Sequence, residues 1–245
     1  MAETILITGA SSDIGVALMH GLLAASADVQ ILAHSFRGGE RIAEMASRYP
    51  DRVVSLQADL SKAEDAMNLA QKVLDTHGTP MSVVHLPALK FKQERFTKLR
   101  WEDLERDLAV QVRSLTILLQ RFLPAMAKLP RARVVFMLSS VVHGVPPKFV
   151  SQYTVVKYAQ LGLMRGLAAE YATTPVRINA VSPSMVNTQF LSDLNELTVQ
   201  GIAAANPLGR NAVPEDVVGA IQFLLSPAAD YISGIAIPVA AGTVN

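Results

Sequence analysis

Two side chains four residues apart, Tyr153 and Lys157, carry the strongest chemical signal in the sequence. That spacing puts them on one face of a helix. The face continues through Leu161, Met164 and Ala168, so the lysine points along apolar surface and not into bulk water. A free phenol titrates near ~10 and is a weak acid or base at neutral pH; a cation beside it is expected to stabilise the phenolate and lower that value. Thirteen residues before the tyrosine, Ser140 follows an apolar run, Val134 to Leu138, that reads as a buried strand. Its hydroxyl would hold a carbonyl oxygen next to the phenol. Singly, these are an ordinary helix pair and a strand-end serine. Their order, strand, serine, then tyrosine and lysine on the next helix, is what points to proton transfer.

The elements that position them alternate along the chain. An opening strand, Ile5 to Thr8, runs into a glycine-bearing turn, Gly9 to Gly15, and then a helix with Ile14, Leu18, Leu22 and Ala25 on one face. Backbone N–H groups at such a helix start attract a phosphate, and glycine permits close approach. Thr8, Gly9, Ser11, Ser12, Asp13, Ile14 and Gly15 are therefore candidate nucleotide contacts. Asp13 is the odd member, because a carboxylate there repels a pyrophosphate unless it turns away to cap the helix. A second strand, Val29 to Ala33, ends at His34, Ser35, Phe36 and Arg37. Helices are expected over 40–48, 62–76 (Met67, Ala70, Val73 and Leu74 inward) and 102–128, with further strands over 52–57, 82–86 and 176–181. Pro214 starts a last helix, and a final strand, Ile235 to Val239, contains Pro238, which suits a sheet edge. The segment 189–207 has no firm strand signal and reads as a substrate lid, with Met185, Phe190, Leu191 and Leu194 as apolar lining.

At 245 residues with 50% hydrophobic content, the chain suits one sizeable α/β domain, 1–245. Twenty-two Lys and Arg against 21 Asp and Glu give net charge +1, which argues against nucleic-acid or membrane attraction. Having Cys 0 excludes disulfides, thiolate metal sites and a cysteine nucleophile. The five histidines show no metal-ligand spacing, so no metal is expected. A first strand beginning by Thr4 leaves no room for a signal peptide, and no apolar run approaches the ~18 residues of a membrane span, so a cytoplasmic address is expected.

Ser140, Tyr153 and Lys157, with the glycine turn after the first strand, resemble the short-chain dehydrogenase/reductase family, and the likeness extends over essentially the whole chain. It implies a doubly wound, mainly parallel Rossmann-type sheet, a nicotinamide cofactor and oxidoreductase chemistry. Asp59-Leu60 matches the family's adenine-contacting pair, and Asp59 also suits an N-terminal helix cap. Leu86, Pro87 and Ala88 stand where relatives have NNAG, without the asparagine hydrogen bonds. Gln111 falls where relatives have an asparagine that links the lysine to solvent through water. Pro183, Ser184, Val186 and Thr188 occupy the turn that covers the nicotinamide, Ser184 replacing a glycine. NAD-preferring relatives carry an acid after the second strand; none stands among His34, Ser35, Phe36 and Arg37 here, so NADP(H) is favoured with Arg37 as phosphate partner, NAD(H) remaining open. The family also implies a homotetramer or homodimer.

The stretch 206–234 most resembles 3-oxoacyl-carrier-protein reductases, which implies a small-molecule or carrier-linked ketone as substrate. Two rival readings stand beside it. One is an alcohol or sugar dehydrogenase. The other is a nucleotide-binding subunit or sensor without turnover, which draws on Asp13, the missing asparagines, Gln111 and Ser184. The basic stretch 90–100, with five cations and one acid, reads as a solvated loop or as a dock for an acidic carrier or phosphate-bearing substrate.

Overall fold

Alternation along the first strand already sorts the core into two halves. In β1 (Glu3–Thr8), Ile5 and Ile7 face one side of the sheet and Leu6 the other, and each joins a different apolar cluster. The computed structural model describes residues 3–37 and 39–243. Over these, seven strands form one parallel sheet: β1, β2 (Val29–Ser35), β3 (Val53–Gln57), β4 (Ser82–His85), β5 (Ala132–Met137), β6 (Val176–Pro183) and β7 (Ala236–Val239). Their spatial order is β3-β2-β1-β4-β5-β6-β7, every neighbouring pair parallel. Order reverses between β1 and β4, and the crevice beyond the carboxyl ends of those strands is where such sheets bind ligands.

Helices α1 (Asp13–Ala25), α2 (Glu40–Arg48) and α8 (Pro214–Leu225) cover the Ile5 and Ile7 side; α3 (Ala63–His77), α5 (Ser114–Met126) and α6 (Ser151–Glu170) cover the other. A short α7 (Glu196–Ala205) lies within the expected lid, after a single 3-10 turn, Gln189–Leu191. The expected doubly wound architecture is thus present, with Pro238 on the edge strand.

Three local expectations change. The long helix expected over 102–128 is α4 (Trp101–Leu108) and α5 joined through a π-helical turn, Ala109–Arg113. Met67 is exposed, because α3 turns Ala66, Leu69, Ala70 and Val73 to the sheet. Ala25 is likewise exposed at the end of α1, whose buried face is Gly15, Leu18, Met19, Leu22 and Leu23. Among the described residues no helix is long and apolar enough to cross a membrane, and no group of three or more His, Asp or Glu is arranged for a metal ion.

Candidate active site

The site is built where β5 gives way to α6. β5 ends at Met137; Ser139 then accepts a hydrogen bond from Val141 N at 3.4 Å, opening a 3-10 turn over Ser140–Val142. The chain returns into α6 with Tyr153 and Lys157 one turn apart, and Leu161, Met164 and Ala168 continue the same buried face, as expected. A cavity of about 810 Å³ is lined by Ser139, Ser140, Tyr153 and Lys157. Its wall also includes Ser11–Ile14 at the start of α1, and Phe91, Val145, Pro147, Phe190 and Ile202. Phe91 meets the Tyr153 ring edge-on at 5.1 Å between centroids, and Phe190 lies 6.3 Å from it.

Burial pushes the Tyr153 phenol up to about 12, against a lowering by the Ser139 hydroxyl. This reverses the expectation that Lys157 would lower it, because the apolar wall penalises phenolate and the lysine is engaged elsewhere. Ser139, missed in the sequence, is the hydroxyl that acts on the phenol; Ser140 lines the same cavity.

Lys157 is 2% exposed, and burial draws its ammonium down to about 7. Its three N–H donors go to Gln111 Oε1 at 2.7 Å, the Met137 carbonyl at 2.8 Å and Gln160 Oε1 at 3.1 Å. Gln111 sits on the π turn and gives its own amide N–H to buried Asp107 at 2.6 Å. The expected link from lysine through water is therefore a direct bond: the extra methylene of Gln, placed on that turn, spans the gap. Cation and carboxylate are joined through one polarised amide.

At the phosphate end the turn is shaped by two glycines. Gly9 has φ +71, and a Cβ there would come within 2.9 Å of Pro87 N. A Cβ on Gly15 would meet the Ala10 carbonyl at 2.6 Å. Ser12 caps α1, accepting from Gly15 N at 3.1 Å, so the capping role considered for Asp13 belongs to its neighbour. Asp13 turns away instead. Its carboxylate accepts from Arg41 Nη1 at 2.7 Å and from Gln189 N, at the root of the lid, at 2.8 Å. Lys90 and Asp193 make a second tie to the segment 189–207 at 2.9 Å.

The remaining expected residues divide. Ser11, Asp13, Ile14, Leu86, Ala88, Pro183, Ser184, Met185, Val186 and Thr188 line the cavity, as do Phe190 and Leu191. Leu194 does not, and Ile202 of α7 takes its place. Thr8, fully buried, bonds His85 Nδ1 at 2.8 Å and supports the site from beneath. Burial holds His85 down to about 3, so it is neutral; its Nε2 has no partner among the described residues. His34 accepts from Gly9 N and donates to the Ala58 carbonyl; burial lowers its pKa, and with Ser35 it is interior. Asp59 is held by Ser61 N and Oγ, which lowers its pKa, with Leu60 buried behind it. Arg37 is exposed, its guanidinium 4.6 Å over the Phe36 ring. A nucleotide fits this arrangement: the tight glycine turn, the capped start of α1 and the Pro183–Thr188 turn flank one continuous cavity whose wall includes the phenol.

Comparison with known proteins agrees. The sequence profile of a family described as Enoyl-(Acyl carrier protein) reductase matches residues 9–244, nearly the whole chain. The human dehydrogenase/reductase SDR family member 2 is 30% identical over 237 residues, 96% of this chain and 84% of that protein. The chain is a short-chain dehydrogenase/reductase. This oxidoreductase is also similar to the 3-oxoacyl-[acyl-carrier-protein] reductase FabG of Aggregatibacter actinomycetemcomitans, 28% identical with 99% of each chain covered. Its fold matches the 3-ketoacyl-(acyl-carrier-protein) reductase of Brucella melitensis complexed with NADH, with a TM-score of 0.89 over 98% of this chain and 97% of that one at 23% identity.

Proposed function

We propose that this short-chain dehydrogenase/reductase reduces a ketone on an apolar chain to a secondary alcohol, with NADPH as the favoured hydride donor. The observation that carries this is the place of the Tyr153 phenol, which holds its proton at neutral pH, in the wall of the cavity beside two serines. Such a group is a proton donor, the role a carbonyl oxygen needs as the carbon takes a hydride. A reduced nicotinamide supplies that hydride when bound. Ser139 and Ser140 hold the oxygen, and Lys157 supplies a buried cation behind the phenol.

The apolar side chains of the cavity wall favour an acyl-type ketone over a sugar. Phe91, Val145, Phe190 and Ile202 offer few partners for several hydroxyls, and each unpaired hydroxyl costs ~1–3 kcal/mol. The similarity to the acyl-carrier reductases supports the same choice. The chain's assembly as a homotetramer or homodimer is supported by Trp101 on α4 and Val155 and Tyr158 on α6, all exposed on outward helix faces. A nucleotide-binding subunit without turnover is the second reading, favoured by the self-satisfied Lys157.

Tyr153→Phe separates them. The ring packing against Phe91 and Phe190 is retained, so fold and NADPH affinity should stay near wild type while kcat for 3-oxoacyl thioesters falls ~10²–10⁴-fold. Reduction that survives the substitution refutes the mechanism. A wild type that binds NADPH and reduces no ketone selects the silent subunit.

A further inference from the structure

Gln160 is an unusual residue to find at the heart of a helix-to-sheet interface. It lies on α6 one turn beyond Lys157, is 0% exposed, and has apolar neighbours on its helix, Leu161 and Met164. Its carbonyl oxygen accepts from Lys157 Nζ at 3.1 Å, and its amide nitrogen donates to the Gln111 carbonyl on the π turn at 3.1 Å. The first contact completes a count. An ammonium has three N–H donors, and Gln111, Met137 and Gln160 take all of them. Nothing is left over for a ligand.

We propose that Gln160 is a positioning residue that holds the place of a sugar hydroxyl on Lys157, accepting the third N–H until a nucleotide ribose replaces it. This rests on the nucleotide reading of the site given above, with Lys157, which lines that cavity, meeting the sugar of the nucleotide. Of the three acceptors Gln160 is the most loosely held: its bond to the lysine is the longest and its own amide is tethered by one 3.1 Å bond to the Gln111 carbonyl, whereas the Met137 carbonyl is fixed by β5 and Gln111 is tied to the Asp107 carboxylate at 2.6 Å. The physical need is plain. A buried ammonium with an unmet donor loses its proton readily, and burial already brings this one down to about 7. Gln160 keeps the charge in place, so that the lysine meets the ribose as a cation. The other titratable groups that face Lys157 are Asp107 on α4, which favours its charge, Tyr153 on α6, whose ring centroid is 5.6 Å away, and neutral His85 on β4.

The test reads Lys157 itself, by side-chain NMR titration of lysine-labelled protein, with the resonance assigned by its loss in Lys157→Met. Without nucleotide, Gln160→Leu should titrate roughly one to two pH units below wild type, the loss of one hydrogen bond to a charged group. With saturating NADPH the two proteins should titrate alike, since the ribose supplies the missing acceptor. Equal titration without nucleotide overturns the placeholder, leaving Gln160 as a strut for the π turn. A difference that persists with NADPH bound overturns the exchange. Should Gln160→Leu fail to fold, Gln160→Glu decides: its carboxylate should lock the lysine, raise its pKa and weaken NADPH about tenfold, and unchanged affinity overturns the proposal. A wild type that binds neither NADPH nor NADH removes the nucleotide reading and this exchange together. One that binds NADPH with no such shift removes the exchange alone.

Discussion

Replacing Asp13 tests how the start of α1 is coupled to the lid. Its carboxylate carries an ion pair to Arg41, with side chains 21% and 43% exposed, and a charge-assisted bond from Gln189 N at 2.8 Å. The exposed pair contributes ~0.2–1 kcal/mol. The bond to a charged acceptor contributes ~1.5 kcal/mol in shielded surroundings and less at this exposed position. Only the second reaches the lid root, so it contributes about 0.5–1.5 kcal/mol, or roughly 2–13-fold, to the equilibrium between a fastened and a released lid root. Asp13→Ala should therefore speed hydrogen exchange at the Gln189 amide by that factor, while global melting moves little because the lid opens locally. NADPH should bind more tightly, since one negative charge is removed from the wall of the cavity. Asp13→Asn keeps an acceptor for Gln189 N and removes the charge, so it should show the gain in affinity with a much smaller gain in exchange. Gln189 exchange that stays at the wild-type rate in Asp13→Ala refutes the coupling. Weaker NADPH binding in both variants would show that the carboxylate serves the cofactor.

Other outcomes follow from single contacts. Arg37→Ala should lower NADPH affinity with NADH little changed, and an unaltered ratio of the two in fluorescence titrations removes Arg37 from the phosphate site. Gly9→Ala should destabilise the protein by ~1–3 kcal/mol in urea unfolding, since Gly9 combines φ +71 with backbone 2.9 Å from an added Cβ; wild-type stability would mean that the turn relaxes freely. Light scattering at micromolar concentration should give a multiple of 26.4 kDa, and the monomer mass would refute the expected assembly.

The fold was legible because its signals are periodic. Strand runs, the Leu18 and Leu22 face of α1 and the buried face of α6 follow from spacing within a few residues, and Pro238 marks the edge strand. The Tyr153 and Lys157 pair was legible for the same reason. What escaped were contacts with no local mark. A π turn inserts extra backbone without altering composition, so nothing in the residues around Gln111 announces a direct bond to Lys157. Gln160 reads as an ordinary polar helix residue until Lys157 and Gln111 are seen on either side of it. Asp13 finds partners 28 and 176 residues away. The phenol's pKa runs opposite to what a lysine one turn away suggests, because burial outweighs a cation whose three donors are taken by other acceptors.

Pro238 has a consequence beyond confirming where β7 sits. An outermost strand presents backbone groups that can recruit a strand from another molecule, and proline deletes one donor from that row. Close by, Ile235 is half-exposed and Tyr231 fully so. A second copy arriving at this end of the sheet meets a blunted ladder flanked by greasy, well-defined side chains. Growth by adding strand to strand, the route to fibres, is discouraged there, while a closed, side-chain-mediated contact is left open.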